Sequence, residues 1–202
     1  MADLRRLAAG AVLAAVTLSG CASPDLPAEG LVGSEISPAW PVPETQLEAD
    51  DGSSYAFDAS TDKPVTLVFF GYTNCPDICS MVMANITQAL TRVGEDAAAK
   101  VDVVFVSTDP QRDKKHVLTR YLGAFDDSYV GVRGTMAEIT EVAQGFGVAF
   151  QAEDRLPSGG YEVSHQDNVF VVDGDDAIPL FWRRTVTPVE MAHDLEQLIP
   201  ED

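Results

Sequence analysis

The chain has 202 residues, with 13 Lys+Arg against 32 Asp+Glu, a net charge of -19 and three cysteines. A hydrophobic fraction of 46% supplies a sizeable core and excludes wholesale disorder. The charge excludes nucleic acid as a partner, because phosphate binding needs clustered Lys/Arg, and three cysteines are too few for a disulfide scaffold.

Arg5 and Arg6 precede an apolar run, Leu7 to Leu18, interrupted only by Thr17. It is too short to cross a hydrocarbon layer as a helix and has the proportions of a secretory signal peptide over 1–20. Leu18-Ser19-Gly20-Cys21 resembles the lipobox of bacterial lipoproteins, which implies cleavage before Cys21 and a lipid on its sulfur. The chain would then stand on the outer face of a bacterial cell membrane. Loss of Asp3, Arg5 and Arg6 leaves 11 basic and 31 acidic side chains, hence -20. Residues 21–39, rich in Pro, Gly, Ser and acids without apolar periodicity, read as a lipid-anchored flexible linker. Residues 40–202 read as one domain.

Gln46 to Phe57, with Asp51-Gly52 at its middle, predicts a hairpin. Pro64 to Phe70 is a β-branched and aromatic run, a buried strand. Ile78, Val82, Ile86, Leu90 and Val93 recur at helical spacing up to Gly94. Val101 to Val106 is a second buried strand, and Lys114 to Phe125 a second helix. Thr135 with Glu138 forms a capping box for a helix reaching about Phe146. Asn168 to Val172 and Ala177 to Trp182 are strands around Asp173-Gly174. Thr187-Pro188-Val189-Glu190 starts the last helix. This order predicts an α/β, thioredoxin-like fold: a central, mostly parallel sheet with an N-terminal β-hairpin and flanking helices.

The chemistry gathers at Gly71-Tyr72-Thr73-Asn74-Cys75-Pro76-Asp77-Ile78-Cys79, where the first central strand gives way to its helix. Ligand sites of open α/β sheets lie at this edge. Cys75 and Cys79, four apart, share one helix face, with Pro76 tolerated in the first turn. A helix N-terminus favours thiolate. Such a pair holds one metal ion or closes into a disulfide. Reductases of this fold carry a cis-proline before a later strand. Here that loop reads Val163-Ser164-His165-Gln166-Asp167, and His165 would face the cysteines. Two thiolates and an imidazole suit Cu(I) and tolerate Cu(II); zinc accepts the same donors but normally takes a fourth.

These residues, with Asp109-Pro110-Gln111-Arg112-Asp113 and Phe146-Gly147-Val148, resemble the Sco/SenC family across 45–202. The resemblance implies a membrane-tethered copper protein that helps assemble the dinuclear copper centre of cytochrome c oxidase. Its partners would be the copper-containing oxidase subunit, and a copper donor chaperone or a thiol reductase. It implies that Cys75, Cys79 and His165 bind copper. Ser80, where the family often has proline, and the polar Gln166-Asp167-Asn168 depart from the pattern. The alternative is a thiol–disulfide oxidoreductase using Cys75 and Cys79 as a redox pair, which would make the protein an enzyme rather than chiefly an assembly factor.

Asp77 is expected near the site without binding metal directly, beside the helix N-terminus. Met83 is a better thioether candidate than Met81, although methionine on a helix is usually core filler. Asp109 to Asp113 is read as a positioning loop. His116, His193, Arg183 and Arg184 read as surface positions.

Overall fold

The computed structural model describes residues 26–27, 30–61, 63–155, 161–165 and 167–200, with the backbone alone for 150–155 and 161–165. The strands are β1 (Ser34–Pro41), β2 (Leu47–Ala49), β3 (Ser54–Tyr55), β4 (Val65–Gly71), β5 (Val101–Ser107), β6 (Val130–Arg133), β7 (Phe150–Arg155), β8 (Tyr161–His165), β9 (Val169–Asp173) and β10 (Ala177–Trp182). The helices are α1 (Ile78–Val93), α2 (Glu95–Ala98), α3 (Lys115–Leu122), α4 (Met136–Gly145) and α5 (Pro188–Leu198). Among the described residues one sheet runs β1-β10-β9-β4-β5-β6-β2-β3, and β7 pairs with β8 as a separate ribbon.

Strands β4, β5 and β6 run parallel, but among the described residues two of the seven pairings in the sheet are parallel, so the sheet is mixed rather than mostly parallel; the apolar, buried β9 runs against β4. Val65 to Gly71 faces Val101 to Ser107 residue for residue, and β6 lies parallel on the far side of β5. All seven residues of β4 are buried, so this strand is covered on both faces. Its side chains alternate between two cores. Val65, Leu67 and Phe69 pack with α1, α3 and α5, whereas Val68 and Phe70 pack with α4 and with Tyr55 and Phe57. Each such side chain contributes roughly 1.5–3 kcal/mol when fully buried. The flanks are antiparallel: β9 runs against β4, and β10 against β9.

Several expected elements form with their expected caps. Helix α1 ends at Gly94, whose φ of 89° only glycine adopts cheaply. Thr135 and Thr187 both complete capping boxes with the glutamates three residues on. The hairpin forms from β2 and β3, with Gly52 at φ 97° in its turn.

Three departures matter for the site. Residues 34–39, expected as linker, belong to β1, which pairs with β10 at the edge of the sheet. The backbone N–H groups of Val32 and Gly33 donate to Asp194 Oδ1 and Oδ2 at 2.7 and 2.9 Å, and Trp182 Nε1 donates to the same carboxylate at 2.7 Å. The folded body therefore begins near Leu31 rather than at 40. Residues 150–165, outside the expected elements, carry the β7–β8 ribbon, so His165 ends a strand instead of sitting in a loop. Each strand of the ribbon alternates apolar and polar residues, Phe150-Gln151-Ala152-Glu153 and Tyr161-Glu162-Val163-Ser164, so a short strand signal is present in the sequence. Finally, β6 is a four-residue strand with no sequence signature of its own. Cys21 and the signal segment lie outside the described residues. No helix among the described residues is long and apolar enough to cross a membrane.

Candidate metal centre

Parallel strands β4 and β5 end together, and the chain turns out of both at the same edge. Thr108 ties the two ends: its N–H and hydroxyl donate to the Gly71 carbonyl at 2.8 and 3.1 Å. From Gly71 the chain passes through Tyr72, Thr73 and Asn74 to Cys75, then enters α1 at Ile78.

Cys75 is thus not on the helix, as the spacing alone suggested. It precedes Asp77, the residue at the helix N-cap, and Pro76 also lies before the first helical residue. The contact expected of residues four apart survives, because the turn folds Cys75 back over the helix start. The N–H of Cys79 donates to Cys75 Sγ at 3.4 Å. That sulfur takes one of the backbone donors that a helix start leaves without a partner. Both cysteines are thiols rather than a disulfide.

The two thiols differ in surroundings. Cys75 is half-buried, whereas Cys79 has no exposed surface. Burial pushes the Cys79 thiol well above its ordinary value, and the adjoining Cys75 and Asp167 push in the same direction. Gly71 makes room for that sulfur. A Cβ there would meet Phe69 Cε1 at 2.9 Å and both Cys79 Sγ and Phe105 Cε2 at 3.0 Å.

Asp113 holds the loop from behind. Its buried carboxylate accepts from the Thr73 N–H (3.1 Å), the Thr73 hydroxyl (2.6 Å) and the Ser107 hydroxyl (2.7 Å). Burial, partly offset by these hydrogen bonds, raises its pKa. Asp109, 2% exposed, pairs with Arg112, whose guanidinium lies 5.7 Å from the centroid of the Tyr72 ring. The 109–113 segment is therefore a positioning loop, as expected from its sequence, with Asp113 rather than Asp109 gripping the cysteine turn.

On the other flank Tyr121 packs against Phe105, and its hydroxyl lies 3.4 Å from Ser80 Oγ. Burial pushes the Tyr121 hydroxyl up to about 12. The departure at Ser80 thus adds a polar contact that proline could not make.

The remaining sequence candidates separate cleanly. Asp77 is exposed and makes no side-chain cap hydrogen bond. Met83 is fully buried in the core, and Met81 is 41% exposed. His116 is exposed; His193 Nε2 lies 3.3 Å from the Gly30 carbonyl. Arg184, expected as a solvated charge, pairs with Asp167 at 3.1 Å. Asp194 beside His193 is buried, which its position on a polar helix stretch did not signal.

His165 is placed by its backbone. It pairs with Phe150 at the end of β8. Four residues on, Val169 opens β9 opposite Phe69, near the C-terminal end of β4. The connection carrying His165 into the sheet therefore arrives at the end where Cys75 and Cys79 stand. Among the described residues no three His, Cys, Asp or Glu side chains form a metal-binding group, and the His165 side chain lies outside that description. Two thiols alone form a soft, incomplete donor set, suited to a thiophilic ion.

The fold and this strand-end dithiol define a thioredoxin-like protein whose turn carries C-x-x-x-C. The sequence profile of the SCO1/SenC family matches residues 46–200, and the chain belongs to that family. The mitochondrial protein SCO2 of Saccharomyces cerevisiae is 30% identical over 149 residues, covering 64% of this chain and 50% of the yeast protein. The chain spans about half the length of the curated relatives it matches. Among solved structures, apo Sco1 of Thermus thermophilus superposes with a TM-score of 0.75 at 32% identity, covering 84% of this chain and 98% of that one. ScoI of Bradyrhizobium japonicum, solved with copper bound, gives 0.69 at 31% identity, covering 80% and 99%.

Proposed function

We propose that this chain is a copper metallochaperone that takes copper as cargo at Cys75, Cys79 and His165. In this reading it hands copper by stepwise ligand exchange to the copper-containing subunit of cytochrome c oxidase. The observation that carries the reading is the Cys75–Cys79 pair at the end of β4, its N–H···S contact at 3.4 Å, in a chain of the SCO1/SenC family. The copper-bound Bradyrhizobium relative supports the metal. Family membership supports the oxidase partner. Two thiolates favour Cu(I), and an imidazole from His165 completes a three-donor site that also tolerates Cu(II). Because thiolates are the ligands, loading weakens in acid.

The test is copper stoichiometry and affinity for wild type, Cys75→Ala and His165→Ala. Cys75→Ala should lose tight binding and His165→Ala should weaken it. A His165→Ala protein that binds as tightly as wild type overturns the three-donor site.

A second reading, thiol–disulfide oxidoreduction, is favoured by the asymmetry of the pair. A half-buried Cys75 can meet a partner's disulfide while a buried Cys79 waits to resolve the mixed disulfide. Exchange turnover that does not depend on His165 would favour this reading. We also assign Cys21 as the lipid attachment point on the extracytoplasmic face. Cys21→Ser should move the protein from the membrane to the soluble fraction; unchanged fractionation refutes the anchor.

A further inference from the structure

Antiparallel strands β9 and β10 pair Val169 with Trp182 at the end of their ladder. Carried two residues further, the same register sets Asp167 opposite Arg184, and the side chains meet there, Arg184 Nη1 to Asp167 Oδ2 at 3.1 Å. Asp167 lies two residues after His165, in the connection that runs from the ribbon into the central sheet. The pair therefore clips that connection to the body beside the dithiol. Asp167 is close enough to add its negative charge to the forces on the Cys79 thiol, after burial and Cys75.

An ion pair with side chains 50% and 25% exposed adds little to folding. Its location suggests a different use. Asp167 carries a hard oxygen donor at the edge of a soft site. Two thiolates with one imidazole suit Cu(I), whereas adding a carboxylate supplies the fourth ligand that Zn(II) takes in closed tetrahedral sites. As the chain is folded, Asp167 does not form a metal-binding group with the two cysteines among the described residues.

We propose that Arg184 is a positioning and selectivity residue for the copper site: it holds Asp167 away from the thiols and fixes the connection that presents His165. The inference rests on the copper reading above. It makes the choice of metal depend on a residue outside the C-x-x-x-C turn, just past the end of β10. Removing Arg184 has two effects: loosening the segment that bears the imidazole weakens both ions, and releasing the carboxylate strengthens Zn(II) alone, so the balance moves toward zinc.

The experiment compares wild type, Arg184→Gln, Arg184→Lys, His165→Ala and the double variant Arg184→Gln/Asp167→Asn. Dissociation constants for Cu(I) and Zn(II) come from competition with chromophoric chelators. The thiolate-to-Cu(II) absorption band reports the ligand set, and amide hydrogen exchange of Asp167 and Asn168 is followed in metal-free protein. Arg184→Gln should shift the Zn(II)-to-Cu(I) affinity ratio toward zinc by about tenfold, the size typical of groups that orient metal ligands. It should also move the absorption band and speed exchange at Asn168. Arg184→Lys should restore all three, and the double variant should abolish the gain in zinc affinity. An Arg184→Gln protein with wild-type ratio, band and exchange overturns the proposal. So does a zinc gain that persists without the Asp167 carboxylate. If His165→Ala binds copper as wild type does, the three-donor reading falls, and exchange in the metal-free Arg184 variants decides the clip by itself.

Discussion

The main-chain N–H of Cys79 is directed at the sulfur of Cys75, 3.4 Å away, so the first turn of α1 supplies a donor to the accessible thiol while burying its partner. Sequence spacing makes the cysteines equivalent; the turn makes them unlike. One sulfur meets solvent and a hydrogen-bond donor, and the other sits among Phe69, Phe105 and the Gly71 backbone.

That asymmetry sets the order of chemical modification. In reduced, metal-free protein, iodoacetamide should alkylate Cys75 at least about tenfold faster than Cys79, since burial both disfavours the Cys79 thiolate and shields it from the reagent. Peptide mass spectrometry over a time course reads the order. Equal rates at the two sites contradict this geometry.

Gly71→Ala should damage the site more than its size suggests. The added Cβ meets three atoms at 2.9–3.0 Å, two of them on rigid aromatic rings and one the Cys79 sulfur. Overpacking of this kind costs about 1–3 kcal/mol. Urea denaturation should show that loss, and copper affinity should fall with it because the displaced atom is a proposed ligand. A variant with unchanged stability and unchanged affinity would show that the core yields at this point.

Asp113→Asn should loosen the cysteine turn, costing about 1–3 kcal/mol at neutral pH, because one of the two oxygens that accept from Thr73 and Ser107 becomes an NH2 donor facing them. Its pH dependence has a definite sign. Burial raises the folded carboxyl above its ordinary 3.8, so the folded state holds this proton more tightly than the unfolded chain does. The resulting contribution is fully present below 3.8 and is lost as pH rises through the folded value. The stability gap between wild type and Asp113→Asn should therefore widen as the solution is acidified through that window. Denaturant midpoints for both proteins at several pH values check it; a gap that narrows on acidification refutes the assignment.

Asp194→Ala removes one carboxylate that serves three donors: Val32 N–H, Gly33 N–H and Trp182 Nε1. We expect a loss of about 3 kcal/mol or more, since hydrogen bonds to buried charge are among the stronger ones. Exchange at Val32 and Gly33 should accelerate well before the core opens. Protection that is unchanged at both amides would mean β1 is held by its pairing with β10 alone.

Much of this architecture is legible in the sequence. Helix α1 can be bounded because its apolar stripe runs unbroken into Gly94, and α4 and α5 because their N-termini carry complete capping boxes. The central strands declare themselves by unbroken apolar runs, the mark of burial on both faces. Edge elements do not. Most of β1 is exposed, and its Pro and Ser content resembles linker composition. The β7–β8 ribbon lies outside the main sheet, and its alternation, Phe150 to Glu153 and Tyr161 to Ser164, spans only four residues on each strand. The dithiol is visible as local spacing, but its supports are not. Asp113 reaches 40 residues back to Thr73, and Asp194 more than 160 to Val32, and no local pattern encodes such partners. The pairing of Arg184 with Asp167 depends likewise on a strand register that only the folded sheet defines.

The carboxylate of Asp194 also has a mechanical consequence. By capturing Val32 it fixes where the folded body starts, and hence how much chain separates that body from Cys21. About ten residues, even fully drawn out, reach only roughly 35 Å. A leash of that length, about half of what the whole Pro-rich segment could have offered, would confine a lipid-anchored domain to a thin shell above the bilayer. Copper would then pass between neighbours crowded along one surface, so delivery would depend on lateral encounter in two dimensions rather than on search through the surrounding volume.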